Sequence, residues 1–226
     1  MRLFEHLTPM DQAEALAISI GNALELAVRV KGWAVLAVSG GRSPVAMFER
    51  LRHRHVRWDA VTITLVDERV VPPDHADSNA ALVRTHLLRE ATASAAFVPL
   101  IADAQDAAAP AQAVARANAA FRQPDVVVLG MGEDGHTASL FPDAPELQSA
   151  LSEPQPGYAI THPSVAPHAR ITLNLAALLA AERVFLSVSG AAKAAVLERA
   201  LQGPTPSLPV SLVLSRHRHG FDVFKT

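Results

Sequence analysis

The sequence predicts an α/β fold of Rossmann-like type, a mainly parallel sheet with helices on both faces. Three observations point there. Short apolar runs at Ala34–Val38, 61–66, 125–129 and Arg183–Val188 alternate with helical stretches of about ten to fifteen residues, an order that calls for right-handed crossovers between parallel strands. The runs are apolar along most of their length instead of alternating, as in strands covered on both faces. Three of them stop at glycine turns, and in open α/β sheets the carboxyl ends of strands are where ligands bind.

The elements follow in order. Thr8-Pro9 supplies a cap and a first-turn proline, and Leu16, Ile18, Leu24 and Val28 continue the apolar positions of an opening helix. The strand Ala34–Val38 ends in Ser39-Gly40-Gly41. Ser43-Pro44 starts a second helix with Val45, Phe48 and Leu51 on one face, and the strand at 61–66 stops at Asp67-Glu68-Arg69. Ser78-Asn79 precedes a helical stretch to about Leu88, and alanine-rich helix occupies much of 107–121. The strand ending at Leu129 leads into Gly130-Met131-Gly132. Prolines at 145, 154, 156, 163 and 167 make 143–169 an excursion from the sheet, either a lid over the site or a plain surface loop. Arg170–Leu173 is expected as a strand, followed by a short alanine-rich helix, the strand Arg183–Val188, the Ser189-Gly190 turn, a helix over 191–201 and a last strand over 210–214.

A chain of 226 residues with no evident linker is read as one domain spanning 1–226. Half of the residues are hydrophobic, which excludes a disordered chain. The formal net charge of −2 provides no field for nucleic acid or an anionic membrane, so the expected partner is a small molecule. With no cysteine, thiolate nucleophiles, disulfides and cysteine metal sites are excluded. Charges at Arg2 and Glu5 interrupt any signal-peptide core, and no apolar run reaches membrane-spanning length. A cytoplasmic monomer that needs no cofactor is the expectation.

The most informative segment is Val126 to Pro142. A buried strand runs into a glycine turn that delivers Asp134 and His136 to the mouth of a site; the flanking glycines make a packing role for the imidazole hard to arrange, and a loop histidine without a role is the plain alternative. Ser39-Gly40-Gly41 with Ser43-Pro44 lies at the first strand-to-helix turn, where backbone N–H groups and a helix N-terminus favour an anion. It matches neither the dinucleotide nor the nucleoside triphosphate fingerprint, so a monophosphate is the economical ligand; a tight turn without a ligand is the plain alternative. The chain has 17 arginines and 3 lysines. Lys193, in the first turn of a helix that disfavours cations there, has a rationale if it reaches an anion, although an exposed lysine is the competing reading. Arg69 is either a second anion ligand or half of a surface ion pair. Asp67, at the end of its own strand, shares a crevice with Asp134 and His136 if those strands are neighbours, and either carboxylate is suited to orient the imidazole. The His53/His55 and His217/His219 pairs read as solvated surface, and no metal is assigned.

With these residues in hand, the chain resembles the 6-phosphogluconolactonase family over nearly its whole length. The matching blocks are Ser39-Gly40-Gly41 with Ser43-Pro44, Asp67-Glu68-Arg69-Val70-Val71-Pro72 with Ser78-Asn79, Gly130-Met131-Gly132 with Asp134-Gly135-His136-Thr137-Ala138-Ser139-Leu140-Phe141-Pro142, Arg170-Ile171-Thr172-Leu173, and Ser189-Gly190-Ala191-Ala192-Lys193. The resemblance implies the sugar-phosphate isomerase and deaminase type of fold, hydrolysis of 6-phospho-D-glucono-1,5-lactone to 6-phosphogluconate in the oxidative pentose phosphate pathway, and His136 as catalytic base. Two departures stand out: Arg42 where a small or hydroxyl residue is expected, and the basic, histidine-rich stretch from Ser215 to His219.

The expected site therefore has His136, Asp134 and Asp67 as catalytic residues, with Ser39, Gly40, Gly41, Ser43, Arg69, Arg170 and Lys193 binding the substrate. Two rivals differ in testable ways. A glucosamine-6-phosphate deaminase or isomerase is expected to carry a glutamate a few residues after the histidine, where Ser139-Leu140-Phe141-Pro142 offers none, and a tyrosine where Arg69 stands. A non-catalytic sugar-phosphate sensor is expected to carry a helix-turn-helix domain, for which the thirty or so residues before the first strand are too few.

Overall fold

Thr8 is extended, with its hydroxyl accepting the Asp11 N–H, and Pro9 follows at the first helical position; these two residues set the start of the longest helix. The computed structural model describes residues 1–41 and 43–226; Arg42 lies outside the described residues. The chain runs through β1 (Arg2–Glu5), α1 (Pro9–Lys31), β2 (Ala34–Val38), α2 (Val45–Leu51), β3 (Val61–Leu65), β4 (Asp67–Arg69), α3 (Asn79–His86), β5 (Ala96–Phe97), α4 (Ala104–Ala108) and α5 (Pro110–Ala119). It continues through β6 (Val126–Leu129), α6 (Leu147–Ser152), β7 (Tyr158–Thr161), β8 (Arg170–Leu173), α7 (Leu175–Leu179), β9 (Arg183–Val188), α8 (Ala191–Ala200), α9 (Pro209–Arg216) and β10 (Gly220–Lys225).

Seven strands form one parallel sheet in the order β1-β10-β9-β6-β2-β3-β5. Every residue of β2 and β6 is buried, because helices cover both faces. From β2 the chain builds outward to β3 and β5, then returns to β6 and builds the other way. The join between β2 and β6 is thus a topological switch point, where two strand-to-helix turns diverge and leave a crevice. Their register pairs Val38 with Val128, so both turns leave the sheet at the same level. A second sheet, β4-β8-β7, is antiparallel and sits beside the first.

Three expectations need correction. Residues 210–214 are not a strand but part of α9, and the last strand is β10. The run Pro209 to Val213 is buried throughout, so its apolar pattern does not separate strand from helix; Pro209, at the first helical position, is the local feature that does. Asp67-Glu68-Arg69 does not merely end a strand: the chain leaves the main sheet at Val66 and pairs again as β4 against β8. Finally, 143–169 is not irregular throughout, since it holds α6 and β7. The edge strand β1 also went unread, because it is exposed along its length; Arg2 anchors it through a 2.6 Å ion pair to buried Asp222.

Candidate active site

The two turns at the switch point are stitched together by Ser39, whose hydroxyl donates to the Val128 carbonyl at 2.9 Å and accepts the Gly130 N–H at 3.3 Å. Above them opens a cavity of about 500 Å³. Its wall includes Ser39, Gly40, Gly41 and Ser43 from the first turn, Gly130, Gly132 and His136 from the second, Asp67 and Arg69 from β4, and Lys193 from α8. Of the expected site residues, Asp134 and Arg170 stand behind this wall, not on it.

His136 has its ring fixed on two sides. Its Nδ1 lies 2.6 Å from Asp134 Oδ1, and the same oxygen accepts the His136 N–H at 3.1 Å. The Phe141 ring stacks on the imidazole, with centroids 4.0 Å apart and planes 26° from parallel. The local backbone makes this possible: Gly135 adopts φ +78°, and a Cβ on Gly132 would lie only 2.2 Å from His136 Nδ1. Burial pushes the Asp134 carboxyl up, but the hydrogen bond and charge of His136 together with backbone N–H groups outweigh it, leaving the carboxyl below its ordinary range. An ionised Asp134 on Nδ1 leaves Nε2 as the nitrogen able to take a proton.

Asp67 is not the partner of His136. Between β3 and β6 lies β2, so the two carboxylates are not on neighbouring strands. Asp67 Oδ2 instead accepts the Ser139 hydroxyl at 2.6 Å, while the residue itself faces the cavity. Side chains on a strand alternate, so Asp67 and Arg69 share the cavity face of β4 and Glu68 turns the other way. Glu68 is fully buried and accepts the N–H groups of Arg69, Asn79 and Ala80 at 2.7–2.8 Å. Burial pushes its carboxyl up, against the pull of those N–H groups.

Arg69 Nη1 donates to the Asp77 carbonyl at 2.5 Å, and Arg69 is paired in register with Arg170. Arg170 is only 5% exposed; burial and then the neighbouring Arg69 charge lower its pKa. It therefore stands behind Arg69, off the cavity wall. Lys193 lies in the first turn of α8, reached through Gly190 at φ +90°.

Two wall residues escaped the sequence reading. Asn79 donates its amide to the Asp67 carbonyl at 2.9 Å and packs so closely on Gly40 that a Cβ there would lie 1.8 Å from Asn79 Oδ1. Its position just after the Ser78 cap was the available signal, and it read as a helix start. Gln12 is buried on α1 and donates to the carbonyls of Val188 and Phe224 at 2.9 and 2.7 Å, a lone polar residue on an apolar helix face.

The family described as glucosamine-6-phosphate isomerases/6-phosphogluconolactonase matches residues 8–222. The chain belongs to that family. It is 43% identical over 224 residues to a 6-phosphogluconolactonase of Neisseria meningitidis, covering 97% of this chain and 96% of that protein. It is 36% identical to one from Helicobacter pylori, covering 99% and 97%. Among solved structures, a 6-phosphogluconolactonase from Shewanella baltica superimposes with a TM-score of 0.92 at 37% identity, over 100% of this chain and 97% of that one. A monomeric glucosamine-6-phosphate deaminase, at 17% identity and a TM-score of 0.76, shares the fold.

Proposed function

We propose that this chain is a 6-phosphogluconolactonase, hydrolysing 6-phospho-D-glucono-1,5-lactone to 6-phosphogluconate in the oxidative pentose phosphate pathway. The observation that carries the reading is the Asp134–His136 pair, with His136 on the wall of a cavity that the glycine turn, Arg69 and Lys193 also line. The turn at Gly40-Gly41, with Ser43, Arg69 and Lys193, binds the phosphate, Ser39 ties that turn to the second one with both of its donors on the Val128 carbonyl, and Arg170 adds positive potential from behind Arg69. Anchoring the phosphate brings the lactone carbonyl to His136 and makes the reaction effectively unimolecular.

His136 Nε2 takes a proton from water as the water oxygen bonds to the lactone carbonyl carbon. The tetrahedral intermediate then collapses with cleavage of the bond to the ring oxygen, which receives the proton back from the imidazolium. Asp134 holds the ring and stabilises its cationic form. The Gly130 and Gly132 N–H groups are committed to Ser39 Oγ and the His136 carbonyl, so neither of them is free to hold the oxyanion. Asp67, freed from the imidazole, faces the sugar and accepts one of its hydroxyl groups. The working unit is read as a monomer, and nothing in the scheme requires a cofactor or metal on the reaction path. A cytoplasmic location completes the reading; no described helix is long and apolar enough to cross a membrane.

The test is hydrolysis of freshly made phosphogluconolactone, corrected for its spontaneous opening. His136→Ala is expected to lower kcat by roughly a hundredfold or more with KM little changed. Turnover close to that of the unmodified enzyme overturns the assignment. A deaminase would release ammonia from glucosamine 6-phosphate. Against it, the position near the imidazole where that chemistry wants an acid is filled by the Phe141 ring.

A further inference from the structure

Outside the cavity wall, three metal-ligating side chains meet that the hydrolysis does not use. His75 and Asp77 lie between β4 and α3, and His168 precedes β8, so two separate loops supply the cluster. One donor atom from each residue lies within 4.8 Å of the other two. His168 Nε2 is 3.0 Å from Asp77 Oδ2, and His75 Nδ1 is 3.9 Å from the same oxygen. Donors sharing a tetrahedral zinc ion at about 2.0–2.1 Å stand about 3.3–3.4 Å apart. The two separations straddle that value, so closing around an ion needs only small side-chain movements.

The chemistry of the donors agrees. The Asp77 N–H donates to His75 Nδ1 at 3.1 Å, so this nitrogen is unprotonated, with the ring proton on Nε2, and its single lone pair must pass from that N–H to the ion on binding. The two imidazoles meet edge to face, at 78°, instead of stacking. His168 holds φ +68°, a left-handed backbone that a non-glycine residue adopts only when its surroundings impose it, and such positions gather at ligand sites. The side chains of Asp77 and His168 are 50% and 28% exposed, which leaves room for water to complete a coordination shell. Two imidazoles and one carboxylate suit a zinc-type divalent ion, whereas magnesium and calcium prefer oxygen donors throughout. Two charges oppose it: Arg69 on the Asp77 carbonyl, and Arg170, whose Nη1 reaches the His168 carbonyl at 3.4 Å. The affinity must therefore come from the imidazoles.

We propose that His75, Asp77 and His168 form a binding site for a zinc-type divalent cation, separate from the hydrolytic residues and adjoining them through Arg69. The test uses enzyme without a histidine tag, titrated with Co²⁺ and followed by its visible absorption, with Zn²⁺ as competitor. One equivalent per chain is expected to bind with a tetrahedral-type spectrum that Zn²⁺ abolishes. His168→Asn, which tolerates the left-handed backbone, and Asp77→Asn should each weaken binding at least about tenfold. His53→Gln and His219→Gln should leave it unchanged. Absence of binding, or affinity unaltered in His168→Asn, overturns the proposal. If those variants do not fold, the unmodified enzyme decides. Zn²⁺ should protect His75 and His168 from diethyl pyrocarbonate in a peptide map, and equal labelling with and without the ion rejects the site.

Discussion

His136 can neither turn its ring nor choose its tautomer, because Asp134 holds one edge and Phe141 one face. Each restraint predicts a distinct loss. Phe141→Leu keeps an apolar neighbour but removes the flat surface, so kcat should fall several-fold while KM for the lactone holds; parallel changes in both would mean that Phe141 only fills space. Asp134→Asn should lower kcat at least tenfold with the fold intact by circular dichroism. The pH dependence of stability follows from the direction of the Asp134 shift. A carboxyl held below its ordinary value of 3.8 contributes stability in full above that pH, and the contribution is lost as the pH falls through the lowered value. The difference in Tm between the enzyme and Asp134→Asn should therefore be largest at neutral pH and vanish in strong acid. At this scale the imidazole was legible, since a buried strand running into a glycine turn marked His136. The rivalry between Asp134 and Asp67 was not, because it depends on which strands are neighbours, and one sequence carries no sign that β2 lies between β3 and β6.

Elements were legible where their ends carry local chemistry. Thr8, Ser78 and Asn174 each accept an N–H from their helix's first turn, and residues of that type before an apolar pattern mark a start. They were illegible where the pattern is ambiguous, as in α9, or too short to have a period, as in β4. The tie between β4 and α3 is nonetheless strong. Glu68→Ala leaves three buried N–H groups without their acceptor and should destabilise the fold by about 3 kcal/mol or more, read from urea unfolding. Gly132→Ala puts a methyl group into the space of His136 Nδ1 and Asp134 Oδ1. It should cost at least tenfold in kcat through displacement of that pair, and a variant with normal turnover would show that the loop relaxes freely.

Across the whole molecule a single apolar cluster joins both sheets, with Tyr158, Ile171 and Leu173 of the small sheet packed into the same core as Leu65, Val128 and Phe185 of the large one. One cooperative unfolding transition is therefore expected by calorimetry, and two resolved transitions would divide the chain into two domains. Phe185→Ala, fully buried on β9, should lower stability by about 3–5 kcal/mol. The fold class was legible because the apolar strands and helical stretches alternate; of the small sheet only β8 was, because β4 and β7 are short and lie near prolines. Its strand β4 carries a consequence of its own. The acid and the cation that it shows to the cavity are two residues apart, with a buried acid between them facing the other way. Inserting one residue before Asp67 would exchange the two faces, turning the Glu68 carboxylate toward the cavity and the Arg69 guanidinium away from it, so the length of the chain at this corner is as much a part of the proposed anion site as the identity of its side chains.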